Sequence, residues 1–262
     1  MSKHKAIIVG CGRIGVGRNW IETPYVYTHA GAYAALRDRV ELIGFVDPDE
    51  AARKWATEKH GLPSWATMDE MSEWCDGNAP ERRTPDIYSI STPPSQRAEL
   101  MEWMYQDDWA KGIWCEKPYG LTEFHKMTNE LEPIKIQVNY IRRADPYHKW
   151  VASSVDKKGL TLRVEARINV HTVCHFTDLA RWWRVPLKYE HHDGPNAYFL
   201  EGIPGGKSLG FAMGGIPDGS PFMVNMLGNL LDSVEGRADL ISPPESAIES
   251  EKWANEILKG LA

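Results

Sequence analysis

The chain has no run of about 18 consecutive apolar residues, so no membrane-spanning helix is expected. It has no CxxC pair: Cys11, Cys75, Cys115 and Cys174 are scattered. That usage predicts a reducing, cytoplasmic setting rather than a disulfide framework. There is no basic block, and the net charge is −6, which argues against nucleic acid as a partner. No apolar leader with a cleavage site precedes "MSKHKAIIVG", so secretion is not expected. Internal repeats and low-complexity tracts are lacking too. What remains is an ordinary globular composition, 42% apolar and 25% charged over 262 residues. That length holds one large domain or two small ones, each with its own core. Eleven tryptophans are many for this length and suit a core, a pocket or an interface.

Short apolar strands alternate with helical stretches through the first half. "KAIIV" (5–9), "ELIGFVD" (41–47), "DIYSI" (86–90), "GIWC" (112–115) and "KIQVNY" (135–140) read as strands. Between them, "THAGAYAALRD", "DEAARKWATEKHG", "SQRAELMEWMYQD" and "LTEFHKMTNELE" read as helices. Such alternation predicts a doubly wound parallel sheet of the Rossmann type over residues 1–141. Residues 142–262 read as a smaller α+β domain with an open, mainly antiparallel sheet. "LTLRVEARINV" (160–170) alternates with period two and predicts a strand covered on one face. A helix, "HTVCHFTDLARWW", follows it. Residues 190–221 are rich in Gly and Pro and predict loops with one or two short strands. Two helices close the chain, and Pro244 suits the first turn of the last one.

Directly after the first strand stands "GCGRIG", with Gly10, Gly12 and Gly15 in G-x-G-x-x-G spacing. The first glycine permits the tight turn, the second lets the backbone approach a pyrophosphate, and the third lets helix pack on strand. Amides at the start of the helix, from Arg13 and Ile14, would bind the phosphates. The acid that ends the second strand is Asp47, 32 residues past Gly15 rather than ~20. "VGRNWIETPYVY" reads as an insertion that accounts for the excess. A carboxylate at Asp47 repels a 2′-phosphate, and "DPDE" offers no neighbouring cation, so NAD is expected over NADP. A helix cap in the turn is the other reading of Asp47.

The order GCGRIG, VDPDEAARKWA, SISTPPSQRAE, CEKP and VNYIRR resembles the Gfo/Idh/MocA family, named for glucose–fructose oxidoreductase and inositol dehydrogenase. The likeness covers the first 145 residues or so and returns at "HFTDLARWW" and in the closing helices. It implies a nicotinamide oxidoreductase acting on a sugar, cyclitol or related small molecule. By the same resemblance Ser91, Thr92, Pro93, Glu116 and Lys117 border the cofactor, and Tyr140 and Arg142 border the substrate. Lys117 would lie beside the reacting oxygen, where an ammonium stabilises a developing alkoxide. A homodimer or higher homo-oligomer assembled through the second sheet is also expected, since a small domain cannot cover that sheet's outer face.

The second half of the site is read from "HTVCHFTDL". His171, Cys174, His175 and Asp178 are spaced i, i+3, i+4 and i+7, so a helix puts them on one face. The resemblance makes His175 the catalytic histidine and Asp178 the acid that follows it near the substrate. His171 stands where many members have Asp. It is expected among the catalytic residues, but it cannot supply the missing negative charge. No metal is expected: a His-x2-Cys-His cluster is not a usual zinc set. Two rivals stay open. One is a nucleotide-binding sensor or regulator that kept the fold and lost catalysis; the other is a reductase of an imine- or pyrrole-like substrate.

Overall fold

A computed structural model describes residues 3–19, 24–77, 84–106, 110–120, 134–166, 169–192, 197–203, 207–211 and 220–261. The first half builds one six-stranded parallel sheet from β1 (His4–Val9), β2 (Val40–Val46), β3 (Ser64–Trp65), β4 (Ile87–Ile90), β5 (Gly112–Cys115) and β6 (Lys135–Val138). Their spatial order is β3-β2-β1-β4-β5-β6. The chain winds outward in both directions from β1, so the crevice for a ligand opens between the carboxyl ends of β1 and β4. Every residue of β4 and β5 is buried. This is the continuous apolar pattern that a sheet covered on both faces requires.

One face of this sheet is covered by α1 (Arg13–Val16), α2 (His29–Ala35) and α3 (Glu50–His60). The other carries α4 (Met68–Gly77) and α5 (Arg97–Gln106). The Thr28 hydroxyl caps α2 and the Asp49 carboxylate caps α3, each accepting a backbone N–H of its helix's first turn. Helix α1 ends at once because Gly17 is left-handed, φ 86°. The insertion expected after the glycine loop therefore does separate α1 from α2. The helix expected over "LTEFHKMTNELE" lies outside the described residues.

The second sheet has the order β10-β9-β7-β8, from β7 (Thr161–Ala166), β8 (Leu187–His191), β9 (Ala197–Ile203) and β10 (Lys207–Phe211). Two of its pairings are antiparallel and one, β7 with β8, is parallel. The inward residues Leu162, Val164 and Ala166 of β7 pack on Phe176, Leu179, Ala180 and Trp183 of α7 (Val170–Trp183). Asn169 caps α7 by accepting the Thr172 N–H at 2.9 Å. Sequence reasoning missed four elements: β3, α4, β8 and α6 (Pro146–Ser154). Helix α6 carried a signal, since Asp145 caps it and Pro146 occupies its first turn.

The outer face of β7 is charged. The Arg163 guanidinium lies against Glu165, Glu190 and Glu201, and over the Phe199 ring at 4.4 Å. The chain then returns to the first sheet. Helix α8 (Phe222–Val234) inserts Met226, Leu227, Leu230 and Leu231 on the α2 side, and α9 (Pro244–Leu261) inserts Ala247, Ile248 and Ala254 on the α5 side. Helix α8 thus serves the core of the nucleotide half, and α9 packs between that core and α7.

Candidate active site

The carboxyl ends of the parallel strands carry the polar groups. After β1, Gly10 turns with φ 103°. A Cβ on Gly15 would meet the Gly10 carbonyl oxygen and the Ser91 hydroxyl, so only glycine lets α1 seat on the loop. A Cβ on Gly12 would meet nothing within 4 Å, which leaves its backbone open to an approaching group. Ser91 ties the two strand ends together, donating to the carbonyls of Val9 and Gly10 at 3.1 and 2.8 Å. The Thr92 hydroxyl beside it is buried and has no hydrogen-bond partner among the described residues. Pro93 precedes the short 3-10 turn Pro94–Gln96 that leads into α5.

Asp47 is half-buried at the end of β2. Its carboxylate accepts the Cys11 N–H at 2.6 Å and the Asp49 N–H at 2.9 Å. It therefore bridges the glycine loop and the following turn, while Asp49 is the cap of α3. Tertiary structure brings two cations that the sequence neighbourhood lacked. Arg18 pairs with Asp49 at 3.0 Å, and Arg53 donates to the carbonyls of Asp47 and Pro48. Burial, with the Asp47 charge beside it, pushes the Cys11 thiol up to about 12.

Beyond β5 comes the Glu-Lys-Pro segment, with a cis Lys117–Pro118 bond. Glu116 turns inward. Its carboxylate shares a hydrogen bond with His29 at 3.1 Å and accepts from Asn139. The His29 ring also bonds Ser89 at 3.0 Å and lies on Trp114, ring centroids 3.9 Å apart. Burial alone would raise the Glu116 carboxyl; His29, Asn139 and the Lys117 charge outweigh it and hold the group below its usual value. Lys117 is half-buried. Its ammonium acts electrostatically on the Cys174 thiol, which burial nonetheless pushes up to about 12. A thiol raised so far is a poor nucleophile.

Helix α7 faces the strand ends across the domain junction. The His175 ring meets the Tyr140 ring edge-on, centroids 5.9 Å apart. Asp178 is buried and bound in a fork by Arg143, at 3.0 Å from Nε and 2.6 Å from Nη2, and it accepts the Ser250 hydroxyl. Arg142 lies over the Phe176 and Tyr198 rings, 5.4 Å from each centroid, and donates to the Tyr198 hydroxyl at 3.3 Å. The adjacent Arg143 makes the ion pair with Asp178. The structure thus brings Tyr140 and His175 together, sets the Lys117 charge within electrostatic reach of Cys174, and engages Asp178 with Arg143. His171 sits in the first turn of α7, and its side chain lies outside the described residues.

Sequence reasoning missed two residues that hold the Lys117 segment. Arg97, 2% exposed, donates to the carbonyls of Thr92, Glu116 and Pro118. A cation in the first turn of a helix opposes the helix dipole, and that was the available signal. Glu251 of α9 accepts the backbone N–H groups of Tyr119 and Gly120. It interrupts the apolar stripe of Ala247, Ile248 and Ala254, which was its signal.

Fold and strand-end geometry together define a two-domain dinucleotide-binding α/β protein. Residues 4–133 match the model of the Gfo/Idh/MocA oxidoreductase family, NAD-binding Rossmann fold, and through this half the chain belongs to that family. The nucleotide of such a module is NAD, and the open approach to Gly12 and the unsatisfied Thr92 hydroxyl fit it. Among solved structures, the WlbA dehydrogenase of Bordetella pertussis, in complex with NADH and UDP-GlcNAcA, is similar: TM-score 0.73, 15% identity, 98% of this chain and 96% of that one. Myo-inositol 2-dehydrogenase of Lactobacillus plantarum gives TM-score 0.69 at 15% identity, over 97% and 96%. A myo-inositol dehydrogenase of Corynebacterium glutamicum gives 0.64 at 15%, over 98% and 96%. At such identities the likeness concerns the fold. No curated protein matches the sequence significantly. Among the described residues, no helix is long and apolar enough to cross a membrane, and no cluster of three His, Cys, Asp or Glu groups could hold a metal.

Proposed function

We propose that the protein is an NAD-dependent dehydrogenase acting on a hydroxyl of a sugar- or cyclitol-like substrate. Gly10, Gly12, Arg13, Ile14 and Gly15 would hold the cofactor's pyrophosphate through their backbone, Asp47 its adenine ribose, and Ser91, Thr92, Pro93 and Glu116 would border the remainder. When bound, NAD supplies the hydride acceptor. Lys117 Nζ donates a hydrogen bond to the substrate oxygen and stabilises the alkoxide as it forms. The His175 imidazole takes up the hydroxyl proton, a task histidine side chains suit near neutral pH. Tyr140 orients that ring, and Arg142 offers a cationic edge to the substrate. Asp178 acts at one remove, holding α7 to Arg143. The observation that carries this reading is the edge-on contact of the His175 ring with Tyr140, whose hydroxyl bonds the same Glu251 carboxylate that holds the backbone just after Lys117–Pro118.

The test is NAD reduction in the presence of myo-inositol or UDP-GlcNAcA, compounds named for the similar structures. Lys117→Ala and His175→Ala are each expected to lower turnover at least about a hundredfold with NADH affinity nearly unchanged. The double variant should be little worse than either single one, because the two groups act as a unit. Full turnover in Lys117→Ala would sink the reading. His171→Asp separates the sensor alternative: gain or retention of turnover means His171 merely replaced the family's acid. Abolished turnover means His171 has become the proton carrier. NADH binding without turnover on a broad polyol and sugar screen would favour a sensor.

A further inference from the structure

One helical segment, residues 250–251 of α9, is bonded to both halves of the candidate site. On one side Glu251 accepts the N–H groups of Tyr119 and Gly120, the latter at 2.9 Å. These are the two residues that follow Lys117–Pro118. The same carboxylate accepts the Tyr140 hydroxyl at 3.2 Å. On the other side the Thr177 hydroxyl donates to the Ser250 carbonyl at 2.7 Å, and the Ser250 hydroxyl donates to Asp178 at 3.2 Å. Thr177 and Asp178 follow His175 by two and three positions on α7.

Packing alone would not select a carboxylate here. Glu251 is 7% exposed on a helix face that also carries Ala247, Ile248, Ala254 and Leu258. Burying a carboxylate costs stability unless its oxygens are matched by donors, and an apolar residue of similar volume often serves a core as well or better. What the carboxylate alone can do is accept two neighbouring amides with its two oxygens while a third donor joins one of them. Arg97 completes the grip from the opposite direction through the carbonyls of Glu116 and Pro118. The backbone on both sides of Lys117 is therefore held by buried side chains, one cationic and one anionic.

We propose that Glu251 is a positioning residue that fixes the Lys117 segment relative to the helix bearing His175. The proposal rests on the reading of Lys117 as the group beside the reacting oxygen. Displacing a reacting group by about 1 Å can cost about a hundredfold in rate, so such a strut has a use in this site.

The test uses Glu251→Ala and Glu251→Gln in the full-length protein. Glutamine keeps the volume but puts an NH2 donor where one acceptor oxygen stood, so one of the two amides loses the oxygen it faces. Lysines are labelled with trinitrobenzenesulfonate and quantified by peptide mass spectrometry, with NADH affinity measured by fluorescence. The expected result is a change of at least about fivefold in the labelling rate of Lys117, with the exposed Lys111 and Lys135 unchanged and NADH affinity within about twofold. Where the alanine variant does not fold, the glutamine variant decides. An unchanged Lys117 rate overturns the proposal. A rate that rises equally at all three lysines also overturns it, because Glu251 would then serve general stability alone. Failure of the catalytic reading shows separately, as full turnover in Lys117→Ala.

Discussion

The two sheets solve different problems. The parallel sheet is covered on both faces, so β4 and β5 are buried throughout and neither carries a charged side chain within the strand. The second sheet is covered on one face by α7, so β7 alternates buried and half-buried residues and keeps a charged outer face of Arg163 among glutamates. In the first, burial alone concentrates chemistry at one edge. In the second, the candidate groups sit on the covering helix, and their aim depends on what that helix is tied to. The site is therefore rigidly specified on its nucleotide side and specified by a few buried bonds on the other.

The sharpest way to break the second side is to cut its ion pair. Arg143 is 7% exposed, holds both oxygens of Asp178, and also donates to the Ile241 carbonyl and the Ser246 hydroxyl. Arg143→Met leaves a buried carboxylate uncompensated and is expected to cost about 3–5 kcal/mol in denaturant unfolding. Arg143→Met with Asp178→Leu should recover much of that loss. A single variant within about 0.5 kcal/mol of wild type would show that α7 is held by apolar packing instead.

A smaller effect is expected from pH. His148 bonds Asp145 at 2.5 Å and the Tyr198 hydroxyl at 2.8 Å behind the second sheet. Burial lowers its pKa; the Asp145 hydrogen bond and charge oppose this, and the Arg142 charge reinforces it. As pH falls through the ordinary value of 6.5 the unfolded chain takes up the proton first, so stability is full above that value and lost below it. Tm should decline between pH 7 and 5, and His148→Gln should flatten part of the slope. The remainder belongs partly to His60, whose pKa burial also lowers. An identical slope in His148→Gln would mean that the ring titrates as it does in water.

The nucleotide side offers the mildest test. Asp47→Ser removes the charge that repels a 2′-phosphate and leaves Arg18, paired with Asp49, and Arg53, on the Asp47 and Pro48 carbonyls, as the nearby cations. The NADH to NADPH affinity ratio should fall about tenfold, read by fluorescence titration. No change would place Asp47 away from the ribose.

What the sequence determined by itself was the parallel sheet, the glycine loop, Asp47 at its strand end, the Lys117 segment and the helix of His175. All of these follow from local rules: alternation of short apolar runs with helices, glycine spacing, and residues adjoining a strand end. Tertiary structure alone decided what surrounds them. Glu251 meets Tyr119 across 132 positions and Arg143 meets Asp178 across 35, and no local periodicity records such partners. The parallel seat of β8 beside β7 and the return of α8 and α9 to the first sheet had no local signal either, because a strand's neighbours and a helix's partner face are chosen by the whole core. The buried charges are the clearest case. An Arg or Glu inside a helical pattern reads as surface until the fold supplies carbonyls, amides or an opposite charge to meet it, and that supply comes from elements distant in the chain.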